Sequence, residues 1–489
     1  MENEIKLMRE YIRHLLRERF GAKSDQLSPQ QIELLKAEPS VVAQEVEAEA
    51  DLPEEEKAAP QEQPARKRNH PGRAELPAHL ERVVQKIECT QEQCRCQQCG
   101  GEKKVIGFDR SEELDVRPAV YFVRVTEREK RACAKCEEMG VSMAPLPAKI
   151  IEKAKAGNGL VIDILVKKIC DHMPLYRQAA ALKRDAGIDL SRTTLCGWIA
   201  RSSEWLAAIV APMKEDLIGG NYIQADETTV GVQPETPNGK NDIGYMWQYS
   251  RPGGPVVFDF QMSRSREGPA KFLEKFGGRL QCDGYDVYDK IGQKGIVFGG
   301  CFAHARRKFV DAFKLNEEDT FLAAIIAEIG KLYAIEEQAR ELRLSNNERK
   351  ELRQKESAPL LATLKEKIVA ARIDAKLPGG AVVKACDYAL EQWSRLIVYL
   401  EYEEMEIDNN LCENAMRPLA LGRKNWLHIG GERFGPGTAA LYSVIETCRR
   451  FGINTREYLT DVLPKVPAWP LSRIAELTPM AWMARRAAN

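Results

Sequence analysis

Three carboxylates sit where ordinary strand and turn chemistry gives them little reason to be. Asp226 falls inside the apolar run Tyr222-Ile223-Gln224-Ala225-Asp226. Strands are depleted in Asp, and a carboxylate in a sheet interior must be paired or metal-bound. Asp283 ends the short run Arg-Leu-Gln-Cys-Asp and precedes Gly284, which permits a sharp exit. Glu413 opens a helical stretch after the turn-forming Asp408-Asn409-Asn410. Such oxygen donors suit Mg2+ or Mn2+. Two ions held among them would stabilise the attacking and leaving oxygens of an in-line phosphoryl displacement. Asp286 and Asp289 compete for the second position, and Glu403, Glu404 and Asp408 for the third. Glu227 follows Asp226 directly, so strand alternation turns it to the opposite face.

A second donor set is made of sulfur. Cys96-x2-Cys99 and Cys133-x2-Cys136 are two knuckles separated by 33 residues. Each can place two thiolates on one ion, and together they complete a tetrahedral shell that suits one structural Zn2+. Four sulfur ligands leave no open position, so no catalysis is expected there. Cys89 and Cys94 lie nearby, but the CxxC spacing favours the other four.

The elements that must carry the carboxylates read clearly. Three strand-like runs fill 221–262, followed by a helix near 266–276, the short strand ending at Asp283, a helical Gly-Tyr-Asp-Val-Tyr-Asp-Lys-Ile and the strand 295–302. That is the order of a ribonuclease-H-like fold, in which the first and fourth strands lie side by side and bring their acids together. The expected fold class is therefore α/β and multidomain: a ribonuclease-H-like mixed-sheet core, an all-helical insertion, a small zinc-binding domain and N-terminal helices. Residues 1–36 repeat apolar side chains at helical spacing, and 37–75 form an acidic, Pro-containing linker that ends in a basic cluster. The zinc-binding domain takes 76–145, with a strand at Val116 to Val125, and helices take 146–215. The core occupies 216–302 and resumes at 406–450, the helical insertion is 303–405, and 451–489 form a C-terminal tail broken by Pro464, Pro467 and Pro470.

Composition limits the partners. The chain has 489 residues with 72 Lys+Arg and 72 Asp+Glu, so a uniformly basic binder is excluded while local basic patches are not. Segment 411–456 is such a patch, with seven Lys/Arg against three Asp/Glu, and it fits a phosphate backbone. Arg417, Arg423 and Lys424 lie in it, while His304, Arg306 and Arg307 follow the last strand. A helical pair joined near Gly187, with Ser191 as N-cap of its second member, would present Arg192, Thr193 and Thr194 as a helix-turn-helix does. These side chains are the candidate contacts to double-stranded DNA. No run of 18 apolar residues exists, so no membrane span is expected. The odd count of 13 Cys points to a reducing, cytoplasmic setting.

These motifs resemble the insertion sequence 66 family of DDE transposases. The resemblance is carried by Gln-Ala-Asp-Glu-Thr (224–228), Cys-Asp-Gly-Tyr-Asp-Val-Tyr-Asp (282–289), Cys-Phe-Ala-His-Ala-Arg-Arg-Lys-Phe (301–309) and the long motif at 408–431. Arg-Phe-Gly-Ala-Lys-Ser-Asp-Gln-Leu (19–27), the two knuckles and Asp-His-Met-Pro-Leu-Tyr-Arg-Gln (171–178) extend it over about nine-tenths of the chain. It implies that Asp226, Asp283 and Glu413 form a metal-binding catalytic triad, and that the activity is DNA cleavage and strand transfer. A homo-oligomer and accessory proteins of the same element are the other expected partners. Asn414 stands where the family pattern has Arg, and Phe302 where it has Trp. The first change removes one basic group beside the triad and leaves the metal ligands intact. Two other readings predict different chemistry: a zinc-containing DNA-binding regulator without cleavage, and a two-metal nuclease without strand transfer.

Overall fold

The computed structural model describes residues 121–126, 130–132, 141–143, 147–152, 154, 156–235, 240–284, 287–288, 295–375 and 379–487. Two compact units are distinguished, one of residues 53–125 and the other of 1–52 and 126–489, and the described elements all belong to the latter. In the smaller unit, residues 121–125 carry no regular secondary structure. The strand expected at Val116 to Val125 is therefore absent over its described part, where Phe122, Val123 and Val125 are exposed and gain no apolar cover. The N-terminal helical region, the acidic linker and Cys96, Cys99, Cys133 and Cys136 lie outside the described residues. Strands β1 (Lys130–Ala132) and β2 (Val141–Met143) pair antiparallel, with Ala132 opposite Val141.

Three helices precede the central sheet: α1 (Asn158–Ile169), α2 (Leu175–Ala186) and α3 (Arg192–Ile218). Gly187 ends α2 with φ of 65°, a left-handed turn that favours glycine. Its N–H donates to Lys183 O at 3.1 Å, and Ile188 N–H donates to Leu182 O at 3.1 Å. Ser191 then caps α3, accepting Thr194 N–H at 3.1 Å. The helical pair read from the sequence is present. Its second member runs for 27 residues, however, and buries Leu206, Ile209, Met213 and Leu217. Its first turn is exposed at Arg192, Thr193 and Thr194.

The sheet has the order β5-β4-β3-β6-β7. Strands β3 (Tyr222–Val232), β4 (Asp242–Ser250) and β5 (Val256–Gln261) form an antiparallel meander. After the short helix α4 (Glu267–Phe272), strands β6 (Arg279–Gln281) and β7 (Val297–Gly299) add in parallel on the other side of β3. The helix expected near 266–276 is thus shorter, and most of the helical stretch expected after Asp283 lies outside the described residues. Tyr222, Ile223, Gln224 and Ala225 are all buried, which is what a central strand covered on both faces requires.

Helix α5 (Phe302–Phe313) leads into the insertion: α6 (Thr320–Glu341), α7 (Asn346–Leu352), a π-turn (Arg353–Ser357), α8 (Ala358–Asp374), α9 (Ala381–Glu391) and α10 (Trp393–Leu396). These helices share one apolar core that contains Leu332, Leu364, Ile368 and Cys386 and reaches the sheet through Tyr222, Phe302, Met405 and Ile407. Within it Arg353 and Glu336 are fully buried. Arg353 Nε and Nη2 donate to the two Glu336 oxygens at 2.6 and 2.8 Å, and Nη2 also donates to Met405 O at 2.8 Å. Arg349 joins Glu336 to Glu406. The network ties the insertion to the segment that re-enters the core.

Helix α11 (Asn410–Trp426) packs on β3, and α12 (Gly435–Arg450) packs on β5 and α3. The outer edge of β5 would otherwise present unpaired backbone groups. Ser443 Oγ accepts Phe258 N–H at 2.8 Å and Thr447 Oγ1 accepts Val256 N–H at 3.0 Å, so α12 closes that edge. The approach is close, because a Cβ at Gly435 would lie 2.1 Å from the Phe260 ring. The C-terminal segment is folded rather than loose: α13 (Thr455–Val462) and α14 (Pro479–Ala487) pack together, with Tyr458 and Trp482 edge to face at 5.7 Å.

Candidate active site

Asp226 stands on the central strand, between β4 and β6. Parallel register sets Gln224 beside Gln281, and two further residues along each chain come Asp226 and Asp283. The acids therefore leave neighbouring strands at the same level, as strands about 4.8 Å apart allow. Glu413 lies in the first turn of α11. Just before that helix, Asn409 Nδ2 donates to Ala225 O at 3.0 Å, which anchors the helix start next to Asp226. The three candidate acids thus come from β3, from the exit of β6 and from the start of α11.

Their charges act on one another. Burial pushes the Asp226 carboxyl well above the usual carboxylate range, and the nearby charges of Glu413, Glu227 and Asp283 push it the same way. The Glu227 N–H, donating to Asp226 Oδ1 at 2.9 Å, offsets part of this. A buried acid among like charges is a donor set that a hard cation would relieve. The Glu227 carboxylate accepts from Arg264 at 3.0 Å, and the charge of Asp283 reaches it.

Glu413 has its own frame. Its Oε1 lies 3.3 Å from His304 Nδ1 and its Oε2 lies 3.4 Å from Arg307 Nη2. Oε1 is buried and makes no hydrogen bond of good geometry, an orphaned acceptor of the kind a bound cation satisfies. Among the described residues, Cys301, His304 and Glu413 each bring a ligand atom within 4.8 Å of the others, and Asp226, Asp283 and Glu413 are not drawn together that tightly. A wider frame suits outer ligands shared between two ions about 4 Å apart. Cys301 is committed to structure: buried, its thiol pushed far up by desolvation, its Sγ accepts Asn409 N–H at 3.2 Å.

The helical insertion also holds the site. Tyr388 on α9 donates its hydroxyl to Asp283 O at 2.7 Å, fixing the turn that carries this acid. Gly284 follows with φ of 89°, where a side chain would be strained. Nothing in the sequence links Tyr388 to Asp283, because the contact spans 105 positions.

The candidate DNA contacts divide into kinds. Arg307, Lys424 and Arg192 are exposed, while Arg306, Arg417 and His304 are half-buried. Arg423 is already engaged with β3, its Nη1 donating to Thr228 Oγ1 at 2.9 Å and Thr229 O at 2.6 Å. Glu413 pairs with His304 and Arg307, not with Arg417 on its own helix. Lys168 and His428 went unnoticed in the sequence. The charges of Lys168 and Arg192 reach His428 and, after burial, help to lower its proton affinity, so two cations from distant segments lie near this imidazole. Only the fold gathers them.

Comparison with known proteins gives the family of the chain. Residues 153–436 match the family model described as "Transposase IS66 family", and residues 443–480 match the "IS66 C-terminal element". Residues 93–137, which contain the two knuckles, match the "zinc-finger binding domain of transposase IS66", and residues 7–84 match "Transposase C of IS166 homeodomain". The uncharacterized protein y4jD of Sinorhizobium fredii is 33% identical over 429 residues, covering 84% of this chain and 82% of its own. The uncharacterized protein y4qI of the same organism is 33% identical over 425 residues, covering 83% and 77%. With the first of these models spanning more than half of the chain, and with relatives matched along most of their length, the protein belongs to the IS66 family of transposases.

Proposed function

We propose that the protein cuts and joins DNA strands at the ends of its mobile element, on a ribonuclease-H-like core whose catalytic acids are Asp226, Asp283 and Glu413. The observation that carries this reading is the burial of Asp226 among the charges of Glu413, Glu227 and Asp283. Divalent ions bound there, Mg2+ or Mn2+, would supply charge neutralisation at the attacking and leaving oxygens of the phosphodiester. Asp226 and Asp283 supply oxygens from a rigid sheet, and Glu413 faces them from a helix. Arg307 donates to Glu413 Oε2 and so orients this carboxylate, while His304 lies beside Oε1. Arg192, Arg306, Arg417 and Lys424, with Arg423, would meet the phosphate backbone. Hydrolysis breaks a P–O3′ bond with water as nucleophile, leaving a 3′-hydroxyl and a 5′-phosphate. In transfer, that 3′-hydroxyl attacks a phosphodiester of the target and a second 3′-hydroxyl leaves. Cys96, Cys99, Cys133 and Cys136 would hold one structural Zn2+ away from this chemistry.

The test uses the full chain and DNA carrying the element's ends, with Mg2+ or with EDTA. Cleaved and joined products in Mg2+ and none in EDTA are expected. Cleavage without joined products would reduce the protein to a nuclease, and binding without cleavage would make it a regulator.

A further inference from the structure

Each candidate aspartate is preceded, two positions earlier, by a glutamine: Gln224 before Asp226 and Gln281 before Asp283. Two residues along a strand return to the same side, so Gln224 lies on the face of β3 that carries Asp226, and Gln281 is its register partner at the end of β6. Both are buried to 1% exposure or less. Burying an amide costs free energy unless its hydrogen bonds are made, and an apolar pair would fill the same space without that cost.

Three of the bonds reach the chain returning from the insertion, and the others join the side chains to one another and to Gly300. Gln224 Nε2 donates to Asp408 O at 2.9 Å, to Tyr222 Oη at 2.9 Å and to Gln281 Oε1 at 3.1 Å. Gln281 Nε2 donates to Glu406 O at 2.9 Å and to Gly300 O at 2.8 Å. The Tyr222 hydroxyl donates to Gln281 Oε1 and accepts Glu406 N–H at 3.2 Å. The backbone of residues 406–408, where the chain returns from the insertion, is thus bound to β3 and β6 through three side chains. Five residues after Asp408 comes Glu413.

We propose that Gln224 and Gln281, joined through Tyr222, are positioning residues that clamp segment 406–408 to the two aspartate-bearing strands and so fix Glu413 opposite Asp226 and Asp283. The inference rests on the reading of those acids as a metal site. It adds that their spacing is set by a buried amide lock rather than by sheet and helix packing alone. Gln224 Oε1 makes no hydrogen bond, but the donors Gln224 Nε2, Gln281 Nε2 and the Tyr222 hydroxyl are all engaged, and such a directional network selects one geometry where apolar packing tolerates several.

The test substitutes Gln281→Met, which keeps volume and removes the amide, and separately Gln224→Met, which spares the bonds of Gln281 to Glu406 and Gly300. Both are made in the zinc-loaded full chain. Hydrogen exchange read by mass spectrometry should show peptides covering 405–413 exchanging roughly tenfold faster, as loss of buried hydrogen bonds implies, while peptides of α6 keep their protection. Mn2+ binding, read by electron paramagnetic resonance, should need a concentration roughly tenfold higher for half-saturation, the loss expected when a shell that orients metal ligands is disturbed. Wild-type exchange in 405–413 for both variants would overturn the lock. Faster exchange with unchanged Mn2+ affinity would overturn the positioning role and leave the amides a purely structural one. Failure of the wild-type chain to bind Mn2+ would instead remove the metal reading, and the lock would then be decided by the exchange data alone.

Discussion

At the scale of single residues, the informative signal is an acid in the wrong place. Asp226 was legible because Tyr222-Ile223-Gln224-Ala225 demands a buried strand and a carboxylate does not belong in one. Burial raises its proton affinity, and that has a measurable consequence for stability. Below an ordinary carboxylate pKa of about 3.9, folded and unfolded chains both hold the proton. As pH rises from there to the raised folded value, the unfolded chain has released its proton and the folded chain has not, so wild-type stability falls. Asp226→Asn has no proton to release. Without divalent ions it should therefore be more stable than the wild type at pH 7, by on the order of 1 kcal/mol, with the advantage vanishing near pH 4. Urea denaturation at the two pH values measures this, and equal stability at pH 7 would contradict the burial argument. Tyr388 and the pairing of His304 and Arg307 with Glu413 were not legible as contacts. Each joins residues more than a hundred positions apart, and Tyr388, His304 and Arg307 break no local rule that would link them to those acids.

At the scale of elements, strand periodicity and turn residues gave the meander and its two parallel additions in the correct order. Ser191 and Gly187 gave the boundaries of α2 and α3. What local pattern could not give is how far α3 runs into the core, since that depends on sheet and helices placed later in the chain. The insertion is similar: its helical character is plain from composition, whereas its attachment through Arg353, Glu336 and Arg349 needs tertiary contact. Breaking that buried pair on one side leaves the Glu336 carboxylate only half compensated, by Arg349 alone. Arg353→Ala should destabilise the fold by about 3–5 kcal/mol. Replacing Arg353 and Glu336 together with Met should cost clearly less, because no buried charge is then left alone. Thermal or chemical denaturation of the three proteins checks this. A double variant as unstable as Arg353→Ala would show that the network contributes through packing and not through charge.

At the scale of the whole molecule, the family assignment follows from matches along most of the chain, and among the described residues no helix is long and apolar enough to cross a membrane. The two donor sets predict two separable metal requirements. Thiolate sites bind zinc tightly and couple it to folding. Metal analysis of the purified chain should give one zinc, and Cys96→Ser with Cys133→Ser should lose it. A zinc content unchanged in that double variant would refute the knuckle assignment. The carboxylate site should behave differently, exchanging its ions freely and following their concentration. The most direct measurement exploits this difference in ligand softness. Asp226→Cys, assayed for cleavage of element-end DNA in Mg2+ and then in Mn2+, replaces a hard oxygen with sulfur, which accepts Mn2+ more readily than Mg2+. If Asp226 is an ion ligand in the cleavage step, the variant should be inactive in Mg2+ and regain cleavage in Mn2+, while Asp226→Ala stays inactive in both. Cleavage by Asp226→Ala at the wild-type rate in Mg2+ would contradict it.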